Sequence, residues 1–276
     1  MELYTQTAFE LSKHLTLRYS TSFGISSRLF QADIQPAIYA IYGLVRIADE
    51  IVDTYQQSDS AQRLDALEQE TYRAIATCYS PNPIVHAFAM TCTEYQIEHE
   101  LIEAFFTSMR MDLTPRDYTE ADYATYIYGS AEVIGLMCLT IFTKGDIAQY
   151  QTLAPGARAL GAAYQKVNFL RDMASDHQER GRLYFPGVTF ESFTEADKQA
   201  IIADIDADFA TALPYLKQLP RSSKKATVLS YRYYSLLLKT LKNTPAATIQ
   251  TRRVRVPAWR KLSLLAAVSL GLGVAS

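Results

Sequence analysis

Two helical segments of the chain each carry a pair of aspartates four residues apart, and this pattern restricts the fold more than any other. Asp49 and Asp53 lie in AIYGLVRIADEIVD, and Asp172 and Asp176 lie about 120 residues later in YQKVNFLRDMASD. Positions i and i+4 share one face of a helix. Because like charges on an apolar helix are costly to bury without counter-charges, two such helices predict carboxylates that face each other across a cavity with divalent cations between them.

Further polar residues extend both acidic faces. The second face continues to Gln165 and Asn168, and the first continues to Tyr42 and Arg46. Carboxylate and amide oxygens are the hard ligands that Mg²⁺ prefers, and bound Mg²⁺ usually shares its site with substrate phosphates. A single acidic pair is more often a solvated helix face. The recurrence of the pattern on two helices favours a site for metal ions and a diphosphate.

Cationic and hydroxyl side chains flank both faces. The candidates for contact with an anionic group are Arg171, Arg180, Arg182 and Tyr184 beside the second face, and Ser20, Ser22 and Phe23 before the first. Arginine forms strong charge-assisted hydrogen bonds to phosphate oxygens. Hydroxyls and backbone N–H groups near a helix start also bind phosphate. These residues predict that the metal site holds a departing anion.

Apolar residues recur at helical spacing along the chain, and no segment alternates with a period of two. The predicted helices cover residues 2–20, 37–52, 59–79, 83–112, 121–143, 146–175, 195–218 and 222–242. We expect a break near Pro155–Gly156 and a loop over 177–190. The chain has 19 Tyr and 12 Phe. We therefore predict a single all-α domain over residues 1–250, packed around an aromatic-lined interior.

Composition excludes several other classes of protein. The net charge of −2 provides no overall basic field for nucleic acid. The three cysteines have neither metal-ligand nor disulfide spacing, which is typical of a reducing cytosol. The N-terminal segment lacks the apolar core of a signal peptide, and no run reaches the roughly 20 apolar residues of a membrane span. We expect a cytoplasmic protein, and the sequence does not fix its oligomeric state.

The tail, residues 251–276, differs from the rest. It contains five basic residues and the only Trp, followed by an uncharged run over 262–275. Such a run is too short to span a bilayer but suits its surface, where basic residues and Trp are common. Two interpretations stay open: peripheral contact with the inner face of a membrane, and a last amphipathic helix that packs on the domain.

Four sequence blocks resemble the phytoene/squalene synthase family of head-to-head prenyl diphosphate synthases. They are YSTSF, AIYGLVRIADEIVD, YIYGSAEVIGLM and YQKVNFLRDMASDHQERGRLYFP. The similarity runs from about residue 18 to residue 260. It implies an isoprenoid-synthase helical bundle around a central hydrophobic channel. Mg²⁺, or Mn²⁺ in its place, is the implied cofactor, and a prenyl diphosphate is the implied substrate.

The resemblance also assigns roles to residues. Asp49 with Asp53, and Asp172 with Asp176, fill the two acidic motifs, and Asn168 joins these four as a metal ligand through Mg²⁺. Tyr42 and Arg46 match catalytic positions before the first motif. The implied substrate-binding residues are Ser20, Ser22, Phe23, Tyr128, Gln165, Asn168, Arg171, Arg182 and Tyr184. The sequence departs from the family at Ser27, where an aromatic residue is common.

The implied reaction condenses two identical allylic diphosphates through a cyclopropylcarbinyl diphosphate. The blocks look most like those of bacterial phytoene synthases, which implies that two geranylgeranyl diphosphates give phytoene without NADPH. The alternative is a squalene or dehydrosqualene synthase that uses two farnesyl diphosphates. A non-catalytic assembly protein of the same family is a third interpretation. Such relatives typically lose acidic motif residues, whereas both pairs are intact here.

Overall fold

A computed structural model describes residues 1–55, 57–114 and 118–270, with the backbone alone described for Thr21 and Ser22. Its helices are α1 Glu2–Tyr19, α2 Thr21–Ser26, α3 Gln35–Asp49, α4 Ser60–Thr77, α5 Pro83–Tyr95, α6 His99–Met111, α7 Glu120–Ile127, α8 Val133–Thr143, α9 Ile147–Arg180, α10 Glu195–Leu216, α11 Arg221–Lys242, α12 Ala246–Ile249 and α13 Ala258–Ser269. These ranges contain no β-strand. The predicted all-α fold is confirmed.

Local sequence signals start several helices. Pro36 lies in the first turn of α3, where its missing N–H has no intrahelical partner to lose. Thr119 and Asp122 form a capping box at the start of α7. Thr194 and Asp197 form a second one at the start of α10. Each box satisfies backbone donors that the first turn leaves unpaired.

Two π-helical turns interrupt the regular spacing at the centre of the molecule. The first, Glu50–Tyr55, follows α3 directly, so Asp49 ends an α-helix while Asp53 lies in a wider turn. The second, Tyr128–Glu132, joins α7 to α8. Single π turns inside helices are frequent at functional sites because they redirect a few side chains without ending the helix. The first π turn carries Asp53, one member of the first acidic pair.

The predicted break at Pro155–Gly156 is wrong, because α9 continues through it for 34 residues. Tertiary packing outweighs the local cost of proline here. A Cβ on Gly156 would lie 2.3 Å from Cβ of Tyr215, so α10 packs closely against this point of α9. The helix also extends beyond residue 175 to Arg180 and ends at Gly181, whose φ is +63°. The predicted loop therefore begins at residue 181 rather than 177.

The core lies on both sides of α9. One cluster of buried apolar residues joins α9 to α10 and α11, and the other joins α3, α5, α6 and α8. A cavity of about 1260 Å³ lies between them and is lined by residues from both clusters. It runs beside α9 from Leu153 to Arg180, which at 1.5 Å per residue is a length of about 40 Å.

One helical stretch, Glu120–Thr143, is long and apolar enough to cross a membrane by length and composition. Half of its most apolar window is buried inside the protein. Val133, Leu139 and Ile141 are at most 1% exposed. The core of the fold thus accounts for the apolar character of this stretch.

The C-terminal tail packs on the domain as far as residue 270. Val254, Val256 and Val268 are buried, and α13 lies against α11 and α2. The boundary at residue 250 stays a prediction from composition, and residues 271–276 lie outside the described ranges.

The backbone of the second π turn lies in close contact with α6 at Gly129, and this contact predicts how a substitution there changes stability. A Cβ on Gly129 would lie 2.1 Å from the carbonyl oxygen of Ala104, a backbone atom that cannot turn aside. We expect Gly129→Ala to lower the free energy of unfolding by about 1–3 kcal/mol through overpacking. Urea denaturation measures this. Gly24→Ala is the control, because its Cβ meets Leu17 at an ordinary 3.4 Å. Equal stability of the two variants would contradict the interpretation.

Candidate active site

The two acidic pairs converge at one end of the cavity. Arg180 connects them directly. Its Nη1 donates to Oδ1 of Asp176 at 2.8 Å, and its Nε lies 3.8 Å from Oδ1 of Asp53. Asp49, Asp53, Asp172 and Asp176 all line the cavity. The carboxylates on the two helices therefore face one shared space.

Each of these four carboxylates has an arginine partner. Arg46 lies 3.7 Å from Asp49, and it also forms an ion pair with Glu50 on the next turn. Arg182 donates to Asp53 at 2.6 Å. The positive charges offset part of the repulsion between carboxylates that would otherwise keep the two helices apart.

Asp172 has two arginine partners, each of which reaches both of its oxygens. Arg171 donates to Oδ1 at 2.9 Å and to Oδ2 at 2.5 Å. Arg253, in the tail, lies 2.7 Å from Oδ1 and donates to Oδ2 at 3.2 Å. Paired contacts of this kind are the strongest that arginine makes with carboxylates. The tail is therefore attached to the second acidic pair.

Asp49 and Asp176 have raised pKa values, because a buried carboxylate close to others of its kind is poorly solvated and is repelled by their charge. Burial, followed by the charge of Asp53, raises the pKa of Asp49 to about 8. Burial, followed by the charge of Asp172, raises the pKa of Asp176 to about 7. The arginines therefore do not neutralise the cluster fully. Shifts of this size in a cleft are typical of functional sites.

A fifth carboxylate, Asp112, lies next to the cluster, and no pattern in the sequence identifies it. Tyr126 donates to its Oδ2 at 2.5 Å, and Tyr184 donates to its Oδ1 at 3.1 Å. Arg182 donates to the backbone carbonyl of Asp112 at 2.6 Å and to that of Val52 at 3.1 Å. Since Arg182 also binds Asp53, it is held by several acceptors and fixes the position of the first pair.

Amide and tyrosine groups continue the polar end along α9. Gln165 donates to Oγ of Ser130 at 3.4 Å. Oδ1 of Asn168 accepts from the hydroxyl of Tyr234 at 3.3 Å. Both amides line the cavity next to the second acidic pair. They lie on the face of α9 where the spacing predicted them.

The first turn of α2 approaches the same space from the other side. Oγ of Ser20 accepts from the backbone N–H of Phe23 at 3.2 Å and caps this helix. The ring of Phe23 stacks on that of Tyr42, with centroids 5.3 Å apart. Burial, the largest cause, raises the pKa of Tyr42, so its hydroxyl stays protonated and can donate a hydrogen bond.

Beyond the polar end the cavity is apolar and rich in aromatic rings. Its aromatic lining consists of Tyr19, Phe23, Phe30, Tyr42, Phe105, Tyr126, Phe142, Tyr164, Phe169, Tyr184, Tyr215, Tyr233 and Tyr234. Aliphatic side chains such as Ile41, Leu139 and Leu153 fill the gaps between them. A site with an anionic, arginine-rich end and a long apolar body suits a molecule with a charged head and a hydrocarbon chain.

Thirteen of the fifteen predicted site residues line this cavity. Tyr128 is an exception, because its ring lies under the guanidinium of Arg158 at 5.4 Å and does not border the cavity. The side chain of Ser22 lies outside the described residues. Ser27 is buried behind the cavity wall and donates to the hydroxyl of Tyr39 at 3.4 Å. Sequence reasoning missed Asp112 and Arg253.

No group of three or more His, Cys, Asp or Glu side chains in the described ranges is close enough to enclose a metal ion. Each acidic pair instead offers one or two carboxylates at the edge of an open space. Calcium cages and structural zinc sites need more protein ligands than this. The donor set fits ions that bind through one or two carboxylates and complete their shells with water and phosphate oxygens.

The squalene/phytoene synthase family model matches residues 16–260. The chain belongs to the squalene/phytoene synthase family. A similar family member is a 15-cis-phytoene synthase from Synechococcus elongatus, 27% identical, with the match covering 94% of this chain and 91% of that protein. Another is a 4,4'-diapophytoene synthase from Staphylococcus haemolyticus, 28% identical across 63% of this chain and 61% of that protein.

A solved structure in the same family of folds supports the helical architecture. A crystal structure described as a dehydrosqualene synthase in complex with ligand superposes with a TM-score of 0.83. The match covers 97% of each chain at 20% sequence identity. At this identity the agreement establishes the fold alone, which is the one expected for a squalene/phytoene synthase family member.

Removal of the Asp112 charge tests its role in this family member. Asp112 is 6% exposed, and in Asp112→Asn at least one of the hydroxyls of Tyr126 and Tyr184 loses its acceptor. We expect a loss of about 1–3 kcal/mol in the free energy of unfolding, together with a fall in kcat because Arg182 and Asp53 are less well fixed. Asp65→Asn, which breaks an exposed ion pair with Arg110, is the matched control, and we expect it to cost less than about 1 kcal/mol. Equal effects of the two substitutions would contradict the role of Asp112.

The raised pKa values predict how the stability of the metal-free protein depends on pH. Asp49 and Asp176 hold protons more tightly in the folded state than in the unfolded chain. The free energy of unfolding should therefore fall as pH rises from about 4 to about 8. Urea denaturation in a chelator at several pH values measures this slope. The double variant Asp49→Asn/Asp176→Asn should give a flatter profile, and an unchanged slope would refute the displaced pKa values.

Proposed function

We propose that this family member is a prenyltransferase that condenses two geranylgeranyl diphosphates head to head and forms phytoene through a cyclopropylcarbinyl diphosphate, as in carotenoid synthesis. One observation carries the proposal. Four aspartates and their arginines meet at one end of a long apolar cavity in a chain of this family. Relatives named phytoene synthase that match most of the chain support the choice of product.

The arginines of the site suit the departure of diphosphate. Arg46, Arg171 and Arg180 are each paired with an aspartate at the edge of the cavity. A cation bound beside one of these aspartates would free its arginine partner to bind phosphate oxygens. The stabilisation of charge that develops on a leaving group is usually the largest catalytic term. Arg182 has too many protein partners to move in this way, and its role is to position Asp53.

Mg²⁺, or Mn²⁺ in its place, is the cofactor that we propose for this site. Asp49 and Asp53 would hold it on one side, and Asp172, Asp176 and Asn168 would hold it on the other. When bound, it would polarise the diphosphate and stabilise the charge of the leaving group. The residues fit this role because the raised pKa values reflect a cluster of carboxylates with too little positive charge around it.

The apolar body of the cavity protects the carbocations that form when diphosphate leaves. Aliphatic and aromatic side chains exclude the water that would capture a cation. Ring faces such as those of Phe169 and Tyr164 also attract positive charge. We expect no NADPH requirement, because the proposed reaction ends with loss of a proton.

The second candidate is the same condensation with two farnesyl diphosphates. It is favoured by the match to the 4,4'-diapophytoene synthase from Staphylococcus haemolyticus. The two candidates share the acidic motifs and differ in how much of the apolar cavity the prenyl chains fill. A non-catalytic assembly role is disfavoured, because both aspartate pairs are intact and converge on one space.

Product analysis tests the proposal. The purified protein is incubated with Mg²⁺ and either geranylgeranyl or farnesyl diphosphate, with and without NADPH, and the hydrocarbons are identified by mass. We expect a C40 product without NADPH, and a C30 product alone would overturn the choice of substrate. Addition of a chelator should stop the reaction.

Two variants connect the product to the site. Asp49→Asn and Asp172→Asn should each reduce turnover by at least 100-fold, because each removes a ligand of the proposed cation. Circular dichroism should show an intact fold in both. Asp33→Asn is the control, since Asp33 is about half exposed and pairs with Lys144 at the surface. Full activity in both site variants would refute the metal assignment.

A further inference from the structure

Charge is distributed very unevenly along the chain. None of the 29 acidic residues follows Asp208, whereas 12 of the 27 basic residues do. This basic C-terminal part contains α11 and α13, which pack against each other. The net charge of −2 therefore conceals a strongly positive region. Charge asymmetry of this size is typical of proteins that meet an anionic surface.

Helix α13 is apolar on two opposite sides. Leu264, Leu265 and Val268 face inward and pack in the core around α11. The outer side carries Trp259, Leu262 and Leu270, which are 64%, 59% and 77% exposed. A helix that only packs on the domain needs one apolar stripe. Within the described part of the chain, this outer stripe is therefore left largely exposed.

We propose that α13 and the segment before it form a docking surface for the surface of an anionic lipid bilayer. Large apolar side chains and a Trp would enter the interface between head groups and hydrocarbon. Arg252, before α13, and Arg260, in its first turn, are exposed and carry the attraction to anionic lipid. Each basic residue near such a surface contributes about a fivefold gain in binding.

The composition of the surface favours lipid over other polyanions. Recognition of nucleic acid relies on cations that follow a phosphate backbone, with aromatic rings available for base stacking. Here the exposed side chains over 258–270 are apolar apart from Arg260, Ser263 and Ser269. The single Trp ring is already covered on one side by the guanidinium of Arg260, 5.1 Å from its centroid. An apolar stripe bordered by cations matches a bilayer surface more closely.

The same segment borders the candidate active site. Val254, Val256 and Leu264 line the cavity, so one wall of the cavity belongs to the docking surface. Docking would place this wall of the cavity close to the bilayer. As a consequence that rests on the proposed function, the apolar hydrocarbon product would pass into lipid without crossing water. The docking itself does not depend on which reaction the protein catalyses.

Trp259 provides a direct test, because it is the only Trp in the chain. The full-length protein is titrated with phosphatidylglycerol-rich vesicles and with neutral phosphatidylcholine vesicles at about 0.15 M salt. We expect a blue shift of Trp259 fluorescence, quenching by brominated lipid and co-sedimentation, all confined to the anionic vesicles. Absence of all three signals would overturn the proposal. Binding to RNA without binding to vesicles would also overturn it.

Two double variants separate the electrostatic contribution to vesicle binding from the apolar contribution. Arg252→Gln/Arg260→Gln should weaken vesicle binding about 30-fold, and Leu262→Ser/Leu270→Ser should abolish the blue shift. The matched controls are Lys13→Gln/Arg73→Gln for charge and Ile147→Ser/Leu213→Ser for exposed apolar residues outside the surface. The controls should bind like the wild type. If both test variants also bind like the wild type, the docking surface lies elsewhere and the proposal fails.

Turnover in detergent-free solution with short-chain substrate distinguishes failure of docking from failure of the proposed function. The two test variants should retain turnover within about threefold of the wild type, because neither alters a residue that binds Asp172 or lines the cavity. Loss of vesicle binding with retained turnover supports the docking surface. Retained vesicle binding in an inactive protein would contradict the proposed reaction and leave the docking surface supported.

Discussion

The repulsion among four aspartates, and the arginines that offset it, is the interaction on which the rest of the structure depends. Asp49 and Asp53 meet Asp172 and Asp176 at the end of an apolar cavity, where carboxylates are poorly solvated. The fold holds them together because each has an arginine within ion-pair distance. A protein built for stability alone would replace such a cluster with apolar residues. The presence of such a cluster here, with the pKa values of Asp49 and Asp176 raised, supports the cationic ligand that we propose for the site.

Helix geometry determines how closely the acidic faces approach each other. The face on α9 is regular, and its residues follow the 3.6-residue period from Gln165 to Asp176. The face on α3 ends in a π turn, which redirects Asp53 so that it reaches Arg182. Farther along the same face of α9, a glycine brings two backbones into contact. A Cβ on Gly161 would lie 2.5 Å from the carbonyl oxygen of Ala131. Both residues line the cavity, so this close contact fixes the cavity wall beyond the acidic end.

Much of this arrangement is visible in the sequence, because helical spacing alone places the acids, the amides and Arg46 on shared faces. What the sequence does not show depends on contacts between distant elements. Asp112 follows the end of α6 without any periodic partner, and its role comes from Tyr126, Tyr184 and Arg182 in the folded chain. The continuity of α9 through Pro155 is decided by packing that outweighs local propensity. Tyr128 begins the second π turn, and its ring lies under Arg158 instead of lining the cavity.

The charges of the tail also form contacts with distant elements that the sequence does not show. In the sequence, the arginines of the tail suggest contact with an external anion. In the folded protein, part of the basic charge forms ion pairs with acids of the same chain. Arg253 binds Asp172, and Lys242, at the end of α11, binds Asp206 of α10 at 2.7 Å. The basic C-terminal part thus first neutralises acids that the earlier helices bring to its side of the molecule. Cations that take no part in this pairing, Arg252 and Arg260 among them, are also exposed to solvent. The same short segment supplies Arg253 to the acidic cluster, one wall to the cavity and an apolar outer face to the molecule. A single layer of chain therefore separates Asp172 from the outer surface.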